Sequence, residues 1–225
     1  MNKRELFYER FASEFDSKMN MNDTRKRVDL MYSRLLRQDE IRDKNVLDAG
    51  SGTGWFSARA KDLGARVTSL DVGTELLKQV RQKCDTHRIV GDIQRIPIDS
   101  DTFDIVVSSE VIEHVKDPFK AICELHRVLR PGGILALTTP NRFWKFAVVF
   151  GNVFRLRPYQ GLENWISWRA LRSSLIDLNM DVEDMFGFHA LPFVSPKLYS
   201  TIDYLDRYGD SFGSLMVNMG VRARK

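Results

Sequence analysis

The run Val46-Leu47-Asp48-Ala49-Gly50-Ser51-Gly52-Thr53-Gly54 sets an acidic residue and then a glycine at every second position behind an apolar stretch. A side chain at Gly50, Gly52 or Gly54 would block a ligand that lies against the backbone, or forbid the dihedrals of a sharp strand-to-helix turn. A second run, Ala65-Arg66-Val67-Thr68-Ser69-Leu70, delivers Asp71 at its end, where a carboxylate can accept hydrogen bonds from both hydroxyls of a ribose. Strand, glycine loop, helix, strand and acid together describe a nucleoside site. Further on, Glu110-Val111-Ile112-Glu113-His114 sets two carboxylates and an imidazole at i, i+3 and i+4, which share one face if the stretch turns helically. Such a group can remove a proton, with His114 as general base, or bind a divalent cation.

These residues must be positioned by alternating strands and helices. The patterning predicts strands at 45–49, 66–71, 88–91, 104–109 and 133–139, and helices at 54–63, 74–84 and 118–129. Gly64 stops the first helix, and an amphipathic helix is expected near 167–178, with Trp168 and Leu171 packing on the sheet. Alternation of this kind implies an α/β fold with a parallel sheet covered on both faces and the ligand at the strands' carboxyl ends. We expect a single domain over 1–225: an N-terminal helical cap (1–40), a cofactor-binding core (41–140), a substrate cap with helices (141–212) and a last strand (213–225).

Composition agrees with that expectation. A chain of 225 residues that is 43% hydrophobic can bury a sizeable core without splitting. Cys84 and Cys123 have neither metal nor redox spacing, so reduced structural thiols and a cytoplasmic location are expected. No signal-peptide pattern opens the chain, and no apolar run is long enough to span a bilayer. The formal net charge of +4 comes from 34 basic and 30 acidic residues interspersed rather than blocked, which argues against nucleic acid as the partner.

Two nucleoside cofactors use a glycine loop of this sort. A dinucleotide fingerprint needs its third small residue where this chain has Trp55. The alternating Asp48-x-Gly50-x-Gly52-x-Gly54 form instead resembles motif I of the class I S-adenosylmethionine-dependent methyltransferases. Asp71 and Val72 resemble that family's ribose-binding acid and adenine-flanking apolar residue, and Gly91-Asp92-Ile93 its acidic turn after the third strand. Phe103-Asp104-Ile105-Val106-Val107-Ser108-Ser109 is similar to its fourth strand, and Leu129-Arg130-Pro131-Gly132-Gly133-Ile134-Leu135 to the turn into its fifth. The end of the chain, Ser214 to Arg224, resembles its last, antiparallel strand.

The resemblance implies a Rossmann-like, doubly wound, seven-stranded sheet, mostly parallel with an antiparallel last strand, carrying N-terminal helices and a capping insertion. It implies S-adenosyl-L-methionine as cofactor, held by Asp48, Gly50, Gly52, Gly54, Asp71, Val72, Asp92, Ile93 and the strand-four residue Ser109, with Arg25 or Arg27 for the methionine carboxylate. Glu110-x-x-Glu113-His114 is similar to the ubiquinone-pathway O-methyltransferases and to small-RNA 3′-end methyltransferases. That likeness implies Mg2+ on Glu110, Glu113 and His114, with His189 as a further ligand. Glu-His after the fourth strand also recurs in metal-free relatives, where it braces the following loop.

A sulfonium is already an activated methyl donor, so the protein has only to align an acceptor and take its proton if it is a hydroxyl. The expected reaction is methyl transfer to an oxygen atom of a small-molecule acceptor, giving an ether or ester. RNA or protein methylation, or a non-catalytic cofactor-binding module, are the alternatives. Residues 141–166 are dense in Phe, Trp, Tyr and Val, which fits a lid over the acceptor, ordinary packing, or a peripheral membrane contact through 143–154 flanked by Arg142, Lys145, Arg155 and Arg157.

Overall fold

A computed structural model describes residues 21–147, 163–192 and 199–225. Seven strands form one sheet in the order β3-β2-β1-β4-β5-β7-β6. They are β1 (Asn45–Ala49), β2 (Arg66–Asp71), β3 (His87–Val90), β4 (Phe103–Ser109), β5 (Leu129–Pro140), β6 (Asp181–Phe188) and β7 (Asn218–Arg224). Only β7 runs against its neighbours, antiparallel to both β5 and β6, so the carboxyl ends of all the others lie along one edge of the sheet. This is the expected doubly wound architecture.

Successive residues of the central strands point to opposite faces, as a pleated strand requires. Leu47, Val106, Leu135 and Leu137 enter one core with the helix α4 (Pro118–Val128) and the helix α5 (Trp168–Asp177), through Ile122, Leu125, Leu171 and Leu175. Val46, Ile105, Val107 and Ile134 enter the other, against Met31, Tyr32 and Leu35 from the turn that prolongs α1 (Met21–Leu30) and Ala60 from α2 (Trp55–Asp62). The helix α3 (Thr74–Lys83) follows β2. Local chemistry fixes the helix starts: Asp117 accepts from the backbone N–H groups of Phe119 and Lys120 with Pro118 at the first position, and Ser167 accepts from Ala170 N–H.

The helical region expected over 1–40 is helical from Met21 to Leu35, and its first twenty positions lie outside the described residues. β5 begins earlier than expected. Leu129 pairs with Phe103, and the register slips across Arg130-Pro131-Gly132-Gly133 before Ile134 pairs with Ile105. The sequence placed no strand at Asp181–Phe188, because Asp181, Glu183 and Asp184 interrupt the apolar alternation. Two of these charges are answered from distant parts of the chain: Glu183 pairs with Arg222 and Arg224, and Asp184 with Arg34. Within 141–166, the described rings of Phe143, Trp144 and Phe146 cluster together, and Trp144 Nε1 donates to Leu215 O at 2.8 Å. Phe143 and Phe146 are 51% and 63% exposed; residues 148–162 lie outside the description. No described helix is long and apolar enough to cross a membrane.

Candidate functional site

The glycine loop leaves β1 at the carboxyl edge and is tied to β2. Gly50 and Ser51 donate their N–H groups to Leu70 O at 2.8 and 3.0 Å, and Gly52 N–H donates to Asp71 Oδ2 at 2.9 Å. Asp71 Oδ1 accepts from Gly73 N–H, also at 2.9 Å. Gly50, Gly52 and Gly54 all have positive φ (80°, 51° and 92°), so the alternating glycines are required by conformation. They differ in what surrounds them. A Cβ on Gly50 would lie 2.4 Å from a Val111 methyl carbon, whereas one on Gly52 would meet nothing within 4 Å. Gly50 is therefore a close crossing with the segment after β4, and Gly52 borders open space where a ligand can touch backbone.

Asp48 sits beneath this loop rather than in it. It is buried, accepts from Ser57 Oγ at 2.5 Å, and heads a hydroxyl chain that runs through Ser69 to Thr86. Burial, reinforced by the charge of Asp71 and opposed by the Ser57 hydrogen bond, pushes its carboxyl up to about 7. The carboxylate thus joins α2 to β1 and β2. Of the other sequence candidates, Val72 is half-buried beside Asp71, Asp92 is exposed with Oδ1 capping Gln94 N–H at 2.8 Å, and Ile93 is buried in the core. Ser109 ends β4 with its Oγ 2.8 Å from Thr138 Oγ1.

The segment after β4 does not turn as its spacing suggested. Glu110 takes φ +55°, and only Ile112–His114 form a short helical turn. Glu110 and Glu113 diverge in consequence. Glu110 Oε2 accepts from Asn218 Nδ2 at 2.8 Å and lies 3.9 Å from Arg27 Nη1, while Glu113 turns inward to accept from Thr139 Oγ1 at 3.2 Å. Burial first, then the charge of Glu110, hold the Glu113 carboxyl well above the ordinary carboxylate range. His114 stays partly exposed with Nε2 3.7 Å from Glu113. The expected Mg2+ site on Glu110, Glu113 and His114 is therefore corrected: a left-handed residue breaks the shared face, and among the described residues no three His, Cys, Asp or Glu side chains could hold a metal ion.

The residues present fit S-adenosyl-L-methionine. Among the described residues, the buried polar side-chain atoms without a hydrogen-bond partner are Arg27 Nε, Ser51 Oγ and Glu110 Oε1. Ser51 lies in the glycine loop, and Glu110 follows Ser109 at the neighbouring strand end. A guanidinium, a hydroxyl and a carboxylate, each with a buried unmet valence, suit a zwitterionic amino-acid end, and Asp71 suits a ribose. Arg25 is exposed, so Arg27 is the better placed of the two arginines. Sequence reasoning passed over Ser51 and Asn218; a serine between two glycines was the available signal for the first, and nothing local marked the second.

A parallel sheet with one reversed strand, a glycine loop after β1 and an acid ending β2 define the class I S-adenosylmethionine-dependent methyltransferase fold. Residues 47–137 match the family described as Methyltransferase domain. It is 36% identical over 142 residues to a malonyl-[acyl-carrier protein] O-methyltransferase of Pseudescherichia vulneris, a match covering 62% of this chain and 55% of that one. It is 33% identical over 163 residues to a ubiquinone biosynthesis O-methyltransferase of Psychrobacter arcticus, covering 66% of this chain and 63% of the relative. The match thus spans less than two thirds of either relative's length. A solved S-adenosylmethionine-dependent methyltransferase from Mesorhizobium loti shares the fold, with a TM-score of 0.65 at 17% identity over 89% of this chain and 96% of that one.

Proposed function

We propose that the chain transfers a methyl group from S-adenosyl-L-methionine to an oxygen atom of a small-molecule acceptor. The observation that carries the reading is the Asp71 carboxylate clamping Gly52 at the rim of open space. Asp71 would hold the ribose, Val72 and Ile93 would flank the adenine with Asp92 beside it, and Arg27 with Glu110 would take the two charged ends of the methionine. The bound cofactor supplies a methyl group on a sulfonium, already poised for displacement. The protein's part is then alignment, exclusion of water and management of the acceptor's proton, for which His114 and His189 are the available imidazoles.

The names of both curated relatives specify O-methylation, which supports oxygen as the acceptor atom. Likeness to the malonyl-[acyl-carrier protein] enzyme supports a second reading, in which the acceptor is carried on a protein. The exposed Phe143 and Phe146 favour an apolar acceptor, and beside Arg142 and Lys145 they also support a peripheral membrane contact through 143–154. Incubation with methyl-labelled S-adenosylmethionine and separate hydroxyl, carboxylate, amine and RNA acceptors tests the proposal. Label should enter an oxygen acceptor, and label confined to amines or RNA would contradict it.

A further inference from the structure

Two strained residues at the carboxyl edge are joined by one amide. Besides Glu110, His189 takes a left-handed φ of +57°, directly after β6. A non-glycine residue held there costs about 1–2 kcal/mol, so the surrounding structure must impose it. Asp206 does so by accepting from the backbone N–H of His189 and of Ala190 at 2.9 and 3.0 Å, while Val217 N–H donates to His189 O at 2.9 Å. Between the two strained residues stands Asn218, the buried first residue of β7, whose Oδ1 lies 3.3 Å from His189 Nδ1.

Chemistry fixes the direction of this chain. The Glu110 carboxylate only accepts, so the Asn218 amide must turn its NH2 toward it, as the 2.8 Å contact requires. The amide oxygen then faces His189 and can only accept, which obliges Nδ1 to carry the ring proton. Nε2 is left with its lone pair. Opposite it, Asp23 Oδ1 lies 3.8 Å away, beyond hydrogen-bond distance. The other charged groups packed around the ring are themselves engaged: Asp206 with Lys26, and Glu110 beside Arg27.

We infer that His189, oriented by Asn218 on Glu110, is the base that takes the proton of a hydroxyl acceptor. The inference rests on the methyltransferase reading and narrows it, since a carboxylate acceptor arrives ionised and needs no base. In the step, the acceptor's O–H proton passes to Nε2 and its oxygen forms a bond to the methyl carbon. The sulfur–methyl bond breaks, with its electron pair remaining on sulfur. The imidazolium faces Asp23 until its proton leaves to water. His189 is the catalytic residue of this assignment, and Asn218 and Glu110 are positioning residues. His114, with Nε2 3.7 Å from the buried Glu113, takes no part in this step.

The tautomer is testable on the full chain without cofactor. Long-range 1H–15N correlation on imidazole-labelled protein, which has four histidines to assign, should show His189 protonated at Nδ1. Asn218→Leu should leave it a mixture of tautomers, and Asn218→Ser serves if the leucine variant does not fold. Transfer from labelled S-adenosylmethionine to catechol should fall about 100-fold or more in His189→Gln, while cofactor affinity by calorimetry stays unchanged. An Nε2-protonated ring, label entering malonate monothioester but not catechol, or catechol transfer insensitive to His189→Gln and abolished by His114→Ala would overturn the inference. Failure of the wild-type chain to bind S-adenosylmethionine would instead remove the reading beneath it.

Discussion

The backbone N–H of Gly52 donates to the side chain of Asp71 at 2.9 Å, so the acid that ends β2 also shapes the loop that ends β1. Since Asp71 Oδ1 is held by Gly73 N–H as well, the carboxylate is fixed in place before any ribose reaches it. Asp71→Asn should therefore weaken S-adenosylmethionine binding by at least the loss of one charge-assisted hydrogen bond, about 1.5–3 kcal/mol. Calorimetric titration measures it, and unchanged affinity would show that the acid serves the loop alone.

Gly50 and Gly52 should respond differently to the same added methyl group. Gly50→Ala drives a Cβ into Val111 at 2.4 Å and should destabilise the fold, read as a fall in melting temperature. Gly52→Ala meets no protein atom, so the stability loss should be limited to the strain of a left-handed alanine, about 1–2 kcal/mol, with cofactor affinity taking the larger loss. Equal stability losses at both positions would contradict this division.

Asp48 gives a pH dependence of defined sign. Its folded-state pKa is raised to about 7 from an ordinary value of 3.8, so its contribution to stability is greatest below that ordinary value and is lost as the pH climbs through 7. Asp48→Asn, which keeps an oxygen for the Ser57 hydroxyl, should gain stability relative to the parent by a few kcal/mol, on the order of the linkage for such a shift, between pH 4 and 8. Thermal melts at the two ends of that window check it, and a constant difference would mean that the carboxyl titrates normally.

Glu40 behaves in the opposite sense. Burial pushes its carboxyl up, but Arg222 in two hydrogen bonds of 2.8 and 2.9 Å, together with Arg37, carries it down to about 2. That stability is present above pH 4.5 and is lost as the pH falls toward 2. Glu40→Gln should cost about 1.5–3 kcal/mol at neutral pH, the range for a charge-assisted hydrogen bond, and much less at pH 2, by denaturant unfolding at each pH.

What was legible in the sequence was local. β1, β2 and the acid at each of their ends follow from apolar runs bounded by glycine and aspartate, and the helix starts from caps such as Asp117. The misread parts depend on partners far along the chain. β6 hides behind acids that are neutralised by Arg34 and by the β7 arginines, and the Arg34–Asp184 pair spans 150 positions. The Glu110-x-x-Glu113-His114 spacing suggested one face, but spacing cannot reveal that Glu110 is left-handed or that Asn218, 108 positions away, receives its carboxylate. The edge that assembles around His189 exists only because β7 reverses and brings Asn218 beside the end of β6.

Calorimetry on the purified chain with S-adenosylmethionine and separately with NAD, repeated on Asp71→Ala, addresses the cofactor assignment on which everything else depends. Binding of S-adenosylmethionine alone, lost in Asp71→Ala while the variant remains folded by circular dichroism, is the expected result. Binding of NAD, or of neither nucleoside, would contradict it.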